Sequence, residues 1–419
     1  MTAPVAGRAV CLGCGCACDD IAVTVSSGRI TGATNACPLG LNWYGDGTVP
    51  ARVTVGGAPA ARDAAVRRIA ELLGAGPAMV YLAPDITTEA QREAIAIADR
   101  AGARLDSVTS DTAAAGILVG QRRGRATATL GELRNRADLL VFWAVDPGNR
   151  YPRYLSRYAL NRSATHVPAA GRTVVAVDVG TARGPAEATT RIALTPADEA
   201  TALGLMRAAV LGREVSGLPP ALAAALDLAR QMARARYVGI VHDAEVGPEP
   251  ADPQRAEGLV GLAQALNGPA RCALSSLRAG GNRSGADAAM TWQTGFPFAV
   301  DFGPGFPRYR PEEPASTALR DLASVLIVGA VGGLPPAVAG AVAGRRVAVV
   351  GPRASEAPFP VEVAIDTGVA GIHEAGTAYR MDDVPLPVLQ VLPGPPPTLT
   401  VLQSLAALLG TLTGKGAVR

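Results

Sequence analysis

The chain has 419 residues, of which 48% are hydrophobic and 18% are charged. This balance is typical of a globular protein, and the length suggests about two or three domains. The 39 basic and 36 acidic residues give a formal net charge of +3, which argues against a general nucleic-acid binder or a polybasic membrane protein. The single lysine is Lys415, so the sequence excludes a Walker lysine and a Schiff-base lysine. Three histidines far apart in the sequence disfavour a histidine-rich metal site: His166, His242 and His373.

The N-terminal segment, residues 1–55, is rich in cysteine and glycine and is predicted to form a small module of its own. Within it, residues 21–25 alternate apolar and polar side chains, residues 26–28 form a turn and residues 29–31 return, which predicts a β-hairpin. This hairpin separates a group of cysteines from Cys37, so it can bring Cys37 back to that group.

Apolar strands alternate with amphipathic helices over residues 56–392. The predicted strands cover residues 78–83, 138–143, 173–179, 237–242, 324–328 and 346–350. The predicted helices cover residues 63–73, 89–101, 198–211 and 255–266. This alternation is typical of parallel sheets covered by helices on both faces, so we expect an α/β core of two intertwined, doubly wound blocks.

A Pro- and acid-rich loop is predicted over residues 246–254. The last predicted domain, residues 393–419, consists of a Pro-rich break and a helix over residues 401–412. The N terminus lacks the apolar centre of a signal peptide, and every apolar run is interrupted before 18 residues, so we expect a soluble cytoplasmic protein. Five of the six cysteines lie between Cys11 and Cys37, which fits reduced cytoplasmic thiols better than a disulfide framework.

The spacing of these cysteines is the strongest chemical signal. Two residues separate Cys11 from Cys14, three separate Cys14 from Cys18, and a proline directly follows the distant Cys37. Three thiolates in one loop and a distant fourth are typical of a [4Fe–4S] cluster. Structural zinc more often uses two separated cysteine pairs, and a loop of buried thiols without metal is the third alternative. Cys16 is a spare thiol within the loop.

Four segments together resemble one known family. They are CLGCGCACDD at residues 11–20, ATLGELRNRADLLVFWAVDP at 128–147, GGNRSGADAAMTWQTGFPFAVDFGPGFPRYRP at 280–311 and GTAYRMDDVPLPV at 376–388. In this order they resemble the B subunit of formylmethanofuran dehydrogenase, a relative of the molybdopterin-dependent formate dehydrogenases. The resemblance implies a molybdopterin-oxidoreductase type of fold without the C-terminal barrel domain, which this family places on a separate subunit. It also implies one [4Fe–4S] cluster and a bis-pterin tungsten or molybdenum, held by a cysteine or selenocysteine that a histidine follows.

The chain departs from this family at the metal ligand. The matching stretch, residues 108–115, contains no cysteine, selenocysteine or histidine. A carboxylate or hydroxyl is a poor substitute for a soft thiolate on such a metal, so we expect no molybdenum or tungsten pterin and no catalytic residue. A vestigial pterin groove is expected near the following residues: Asp111, Thr112, Gly281, Asn282 and Gly285. The last three belong to a Gly-rich turn, which either once bound phosphate or is simply a tight turn.

With this departure, the resemblance favours a non-catalytic, structural B subunit of the formyltransferase/hydrolase complex of aerobic methylotrophic bacteria. That complex transfers a formyl group from a tetrahydromethanopterin-type carrier to a furan-type carrier and releases formate. The implied partners are an amidohydrolase-like zinc subunit, a formyltransferase subunit and a C-type subunit, with the furan-type carrier nearby. The alternatives are a catalytic B subunit of a tungsten or molybdenum formylmethanofuran dehydrogenase, with Asp111 as metal ligand, and an iron–sulfur electron carrier.

The loss of the pterin metal also bears on the cysteines. In the redox family the cluster relays electrons to that metal. Here, Cys11, Cys14, Cys18 and Cys37 either keep a [4Fe–4S] cluster as a structural staple of a small module, bind another metal, or bind none.

Overall fold

The structure is a computed structural model that describes residues 4–148, 150–160, 166–167, 171–214, 216–245 and 254–413. Most of the predicted acid-rich loop, residues 246–253, lies outside the described residues, as do residues 414–419 of the predicted C-terminal domain.

The strands are β1 Pro4–Ala9, β2 Ile21–Ser26, β3 Arg29–Thr34, β4 Val53–Val55, β5 Ala58–Pro59, β6 Ala78–Leu82, β7 Arg104–Ser107, β8 Leu139–Trp143, β9 Thr173–Val179, β10 Thr190–Leu194, β11 Tyr237–Asp243, β12 Arg271–Leu277, β13 Val300–Asp301, β14 Arg308–Tyr309, β15 Ser324–Val328, β16 Arg346–Gly351, β17 Val363–Asp366, β18 Gly376–Tyr379 and β19 Pro385–Val388.

The α-helices are α1 Pro38–Tyr44, α2 Arg62–Gly74, α3 Thr88–Arg100, α4 Val108–Thr112, α5 Ala114–Arg123, α6 Leu130–Arg136, α7 Pro196–Val210, α8 Pro220–Arg234, α9 Gln254–Leu266, α10 Arg283–Thr294, α11 Ala315–Ala318, α12 Pro336–Ala341 and α13 Thr398–Thr413. Short 3₁₀ or π turns occupy Leu155–Ala159, Leu319–Asp321, Val331–Gly333 and Ala354–Glu356.

The chain divides into two compact units, one formed by Met1–Thr112 with Gly280–Arg419 and the other by Ala113–Ala279. We call them unit 1 and unit 2. The α/β class predicted from the sequence is confirmed, with parallel and mixed sheets. The domain boundaries predicted near residues 55 and 393, the separate cysteine-rich module, the molybdopterin-oxidoreductase type and the absent barrel stay predictions.

Unit 1 is built on a mixed sheet in the order β14-β13-β7-β6-β15-β16-β17-β4-β5. The five central strands, from β7 to β17, run parallel, and antiparallel strands extend the sheet at both edges. Neighbouring residues of β6 enter different hydrophobic clusters, Val80 on one side and Tyr81 on the other. Because successive side chains of a strand point to opposite faces, this sheet is buried on both sides. The loops after the parallel strands consequently meet at one edge.

Unit 2 is built on a parallel sheet in the order β10-β9-β8-β11-β12. From β8 the chain runs outward through β9 and β10, then returns to the other side of β8 for β11 and β12. This reversal is that of a doubly wound sheet, with its switch point between β8 and β11. The unit's apolar side chains, among them Trp143 and Met206, pack into one cluster with helices α7, α8 and α9.

The predicted elements agree with the structure to within a few residues. The predicted hairpin is β2 and β3, and the helix predicted over residues 89–101 is α3, where the Thr87 hydroxyl accepts a hydrogen bond from the Ala90 N–H and so caps the helix. The C-terminal helix begins at Thr398, three residues before the predicted start. No helix within the described ranges is long and apolar enough to cross a membrane.

Candidate functional site

The cysteine loop of unit 1 is folded tightly on itself. The Cys11 N–H donates to the Cys18 carbonyl at 2.9 Å, and the Ala17 N–H donates to the Cys14 carbonyl at 3.1 Å. Ala17 takes a left-handed backbone conformation with φ of +38°, which an alanine rarely adopts. The backbone around these cysteines is therefore held in one shape by the loop itself.

Two other parts of unit 1 hold this loop in place. The Gly281 N–H donates to the Leu12 carbonyl at 2.9 Å, and the Met381 N–H donates to the Gly15 carbonyl at 3.0 Å. A Cβ atom on Gly280 would lie 2.2 Å from the Leu12 oxygen, so only glycine allows this close approach. The Gly-rich turn predicted as part of a pterin groove is thus packed directly against the cysteine loop.

The fourth cysteine reaches the loop through the hairpin, as the sequence predicts. Cys37 precedes α1, and a Cβ on Gly40 of that helix would lie 3.1 Å from the Cys11 sulfur and 3.9 Å from the Cys37 sulfur. The pKa of Cys11 is raised to about 12, chiefly by burial and also by the nearby thiols of Cys14, Cys18 and Cys37. The cysteines that act on Cys11 are therefore the three other predicted ligands.

A buried thiol with a raised pKa stays protonated unless a nearby cation compensates the charge of its thiolate. All six cysteines of the chain are thiols rather than disulfides. Within the described ranges, no group of three or more His, Cys, Asp or Glu side chains is arranged so that it could hold a metal ion. A tetrahedral zinc, with Zn–S bonds of about 2.3 Å, would draw its sulfurs to about 3.8 Å from one another. A four-iron cubane spreads its thiolate ligands around a larger body than a single zinc does.

The other residues of the predicted groove pack and form hydrogen bonds within the protein. Asn282 has a left-handed φ of +64° and is 1% exposed. Its side-chain N–H₂ donates to the Ile86 carbonyl at 3.0 Å, and its side-chain oxygen accepts from the Tyr379 N–H at 2.7 Å. A Cβ on Gly285 would lie 2.1 Å from that oxygen. Gly281, Asn282 and Gly285 therefore form a tight turn with its polar groups satisfied internally.

Asp111 and Thr112 lie on α4, which follows β7 at the carboxyl edge of the sheet. The Thr112 hydroxyl donates to the Val108 carbonyl at 2.8 Å, one turn back in the same helix. The Asp111 carboxylate accepts hydrogen bonds from the Ser110 hydroxyl at 3.2 Å and the Ser316 N–H at 3.4 Å. Both side chains therefore already have partners within the protein.

Sequence reasoning missed a buried acid next to this helix. Asp106 is 2% exposed, and its carboxylate accepts hydrogen bonds from the Ser107 N–H at 2.8 Å and the Ala299 N–H at 3.1 Å. The pKa of Asp106 is raised to about 7, chiefly by burial and also by the neighbouring Asp111 carboxylate, against the lowering effect of these hydrogen bonds. Asp106 lies near the carboxyl end of the short strand β7, which the sequence did not predict as a strand, and its burial depends on the tertiary packing.

A cavity of about 480 Å³ opens at the same edge of the unit 1 sheet, beside the end of α1. In its wall, the Trp43 indole N–H donates to Asp85 at 3.3 Å, and burial raises the pKa of Asp85. His373 accepts the Val369 N–H at 3.2 Å and contacts the Gly47 carbonyl at 2.7 Å, which fits a neutral ring that donates from Nε2. His373 therefore makes its hydrogen bonds to backbone groups.

The fold and these contacts define an α/β protein with one mixed-sheet unit, one parallel-sheet unit and a cysteine loop held against a Gly-rich turn. No protein-family model matches the chain. It is 26% identical over 416 residues to the B subunit of tungsten-containing formylmethanofuran dehydrogenase 2 from Methanocaldococcus jannaschii, over 93% of this chain and 94% of that protein. It is 25% identical over 414 residues to the protein of the same name from Methanococcus maripaludis, over 92% and 94%.

Among solved structures, a chain of the formyltransferase/hydrolase complex (FhcABCD) from Methylorubrum extorquens, crystallised with methylofuran, has a TM-score of 0.71. It is 24% identical, and the match covers 87% of this chain and 99% of that chain, so the two share a fold. The resemblance to the B subunit of formylmethanofuran dehydrogenase predicted from the sequence is therefore confirmed, and it extends over more than nine tenths of the chain.

Proposed function

We propose that the chain is the structural, non-catalytic B subunit of a formyltransferase/hydrolase complex. In this proposal the complex moves a formyl group from a tetrahydromethanopterin-type carrier to a furan-type carrier and then releases formate. The chain holds together an amidohydrolase-like zinc subunit, a formyltransferase subunit and a C-type subunit. The similarity to the B subunit of an enzyme of one-carbon metabolism and the shared fold with a chain of such a complex both support this role.

The observation that carries the proposal is the chemistry of α4. At the place where the family carries a soft metal ligand, this chain offers a carboxylate and a hydroxyl, which are poor ligands for the tungsten or molybdenum of that family. The Thr112 hydroxyl is engaged by its own helix, and the Asp111 carboxylate by Ser110 and Ser316. These residues do not fit a tungsten or molybdenum pterin, so no redox step is assigned to the chain.

The four grouped thiols fit a [4Fe–4S] cluster, and we propose that it serves as a structural staple. Cys11, Cys14, Cys18 and Cys37 would hold it, and the cluster would supply cross-links between the loop and α1. Burial around these thiols, together with the hydrogen bonds from Gly281 and Met381, would orient the ligands before iron binds.

A second candidate is a catalytic subunit of a tungsten-containing formylmethanofuran dehydrogenase, because both curated relatives carry that name. It requires Asp111 to bind the metal in place of thiolate or selenolate. The local hydrogen bonds of Asp111 and the absence of histidine from residues 108–115 favour the structural role instead.

A metal inventory of the purified native assembly tests both ideas. We expect no stoichiometric tungsten or molybdenum, no viologen-coupled oxidation of a formyl carrier, and co-purification with zinc-containing hydrolase and formyltransferase subunits. Stoichiometric tungsten or molybdenum would refute the structural role and support the dehydrogenase. Isolation of the native chain without such partners would also count against the scaffold.

The cluster is tested separately by iron content and the visible charge-transfer absorption. Cys37→Ser is expected to remove most of the iron and the absorption. Cys272→Ser is the matched control, because Cys272 is a buried thiol on β12 of unit 2. Equal iron in the two variants, or none in the wild type, would refute the cluster and leave the scaffold proposal standing.

A further inference from the structure

A shallow basic hollow lies at the amino-terminal edge of the unit 2 sheet, where the parallel strands begin. Its volume is about 320 Å³, near the lower end of small-molecule sites, which run from about 300 Å³ upward. It is lined by the following residues: Arg136, Asp138, His166, Arg236, Tyr237 and Arg271. The doubly wound order places the first residues of β8, β11 and β12 side by side, so side chains far apart in the sequence meet here.

The Asp138 carboxylate in this hollow accepts hydrogen bonds from backbone N–H groups. One oxygen of Asp138 accepts the Tyr237 N–H at 2.8 Å, and the other accepts the Arg236 N–H at 3.1 Å. These bonds tie the start of β8 to the start of β11. They use the carboxylate as a structural acceptor, and it forms no side-chain ion pair with an arginine within the described ranges.

Arg271 is held in place at the hollow by its neighbours. Its guanidinium lies over the Tyr237 ring, 5.8 Å from the centroid, and one terminal nitrogen lies 3.7 Å from the Glu132 carboxylate. Stacking of this kind fixes the plane of a guanidinium and leaves its remaining N–H groups able to donate. The pair with Glu132 is loose, because 63% of the Arg271 side chain is exposed.

The two other arginines of the hollow are Arg136 and Arg236. In the part of the chain that the structure describes, the guanidiniums of Arg136 and Arg236 make no hydrogen bond or ion pair. Arg234 adds positive charge from an adjoining hollow that shares Asp138. Arg172, just before β9 on the same edge, is held by two backbone carbonyls rather than by an acid, at 2.9 Å to Tyr158 and 2.5 Å to Arg134. This edge therefore carries more guanidinium than carboxylate.

We propose that this hollow binds a small organic anion that carries phosphate or several carboxylates, through Arg136, Arg236 and Arg271. Planar guanidiniums match the paired oxygens of phosphate and carboxylate groups, and such charge-assisted bonds are about twice as strong as neutral ones. The concave shape and small volume favour a small molecule over a protein segment. The proposal does not rest on the function proposed above, because it concerns unit 2 alone and requires no metal.

Calorimetric titration of the full chain with sodium pyrophosphate and, separately, with sodium citrate tests the proposal at low ionic strength. We expect one site per chain for at least one of the two probes, with affinity that falls as sodium chloride is raised. Tighter binding of pyrophosphate would assign a phosphate ligand, and tighter binding of citrate a carboxylate ligand. No binding of either probe at millimolar concentration would refute the proposal.

Substitutions locate the binding. Arg236→Gln is expected to weaken the affinity for the anion by about tenfold or more. The double variant Arg136→Gln/Arg236→Gln should weaken the affinity further, and Arg236→Lys should weaken it less than Arg236→Gln does. Arg67→Gln on α2 of unit 1, an exposed arginine of the same chemistry, should leave the affinity unchanged. The thermal unfolding midpoint of each variant serves as the folding control. Equal affinity in Arg236→Gln, the double variant and the wild type would overturn the assignment to this hollow.

Discussion

The buried carboxyl of Asp106 should make the stability of unit 1 depend on pH, and Asp106→Asn should remove that dependence. In the folded chain the pKa of Asp106 is raised to about 7 by burial, whereas an aspartate in an unfolded chain has a pKa of about 3.9. As the pH rises, Asp106 therefore loses its proton in the unfolded state before it does so in the folded state. The folded state is destabilised relative to the unfolded state over this pH range. Stability from this group is lost between about pH 4 and pH 7.

The magnitude follows from the difference between the two pKa values. One unit corresponds to about 1.4 kcal/mol, so the full cost is about 4 kcal/mol, of which about 3 kcal/mol accumulates between pH 5 and pH 8. Asparagine keeps the oxygen that accepts from Ser107 and Ala299 and cannot ionise. We therefore expect Asp106→Asn to gain stability relative to the wild type as the pH rises, by up to that amount.

Urea unfolding of both proteins at a series of pH values between 5 and 8 measures this difference. Asp63→Asn, which removes an exposed carboxylate from α2, controls for the loss of one negative charge. A difference between Asp106→Asn and wild type that stays constant across the series would refute the reasoning, because it would mean that Asp106 ionises as easily in the folded state as in the unfolded one.

Two further predictions concern unit 2. Glu199 is 1% exposed and accepts hydrogen bonds from the Trp143 indole and, through both oxygens, from Arg255. Glu199→Gln should lower the free energy of unfolding by about 3 kcal/mol, because it leaves the largely buried guanidinium of Arg255, 17% exposed, without its counter-charge. Thermal unfolding of Glu199→Gln and of the control Asp227→Asn checks this prediction. The exposed ion pair between Asp227 and Arg230 should contribute less than about 1 kcal/mol, so similar unfolding midpoints in the two variants would contradict the prediction. Burial lowers the pKa of His242 to about 4, below its value of about 6.5 in an unfolded chain. As the pH falls, the unfolded state therefore binds the proton first. The protein should lose about 3 kcal/mol of stability between about pH 6.5 and pH 4. His242→Gln should remove this acid-side loss in unfolding titrations, and an unchanged loss would exclude His242 as its source.

Local patterns in the sequence predict much of this molecule because they report short-range geometry. The alternation of residues 21–25 places β2, and the continuous apolar run of residues 324–328 places β15, since strand periodicity and burial are visible within a few residues. The same holds for the spacing of Cys11, Cys14 and Cys18, which can only lie in one loop. The prediction that the hairpin returns Cys37 to that loop agrees with the structure, because a hairpin is itself a local element.

Other features depend on strand order, which a single sequence does not display. The periodicity of β8, β11 and β12 is the same whether they are neighbours or far apart, so the meeting of Arg136, Arg236 and Arg271 at one edge was not predicted. The burial of Asp106, which raises its pKa, likewise depends on distant segments, such as Ala299 nearly 200 residues away, packing beside it.

Residue identity and local order are therefore enough to establish the α/β class, the cysteine spacing and the missing soft ligand at residues 108–115. The tertiary structure is needed to show that Asp111 and Thr112 form hydrogen bonds within the protein and that the Asn282 side chain is hydrogen-bonded within a turn. It is also needed to show that several guanidiniums lie together where the unit 2 strands begin. The physical reason is that burial, charge compensation and pKa depend on which distant segments pack together, and packing is set by the order of strands in the two sheets.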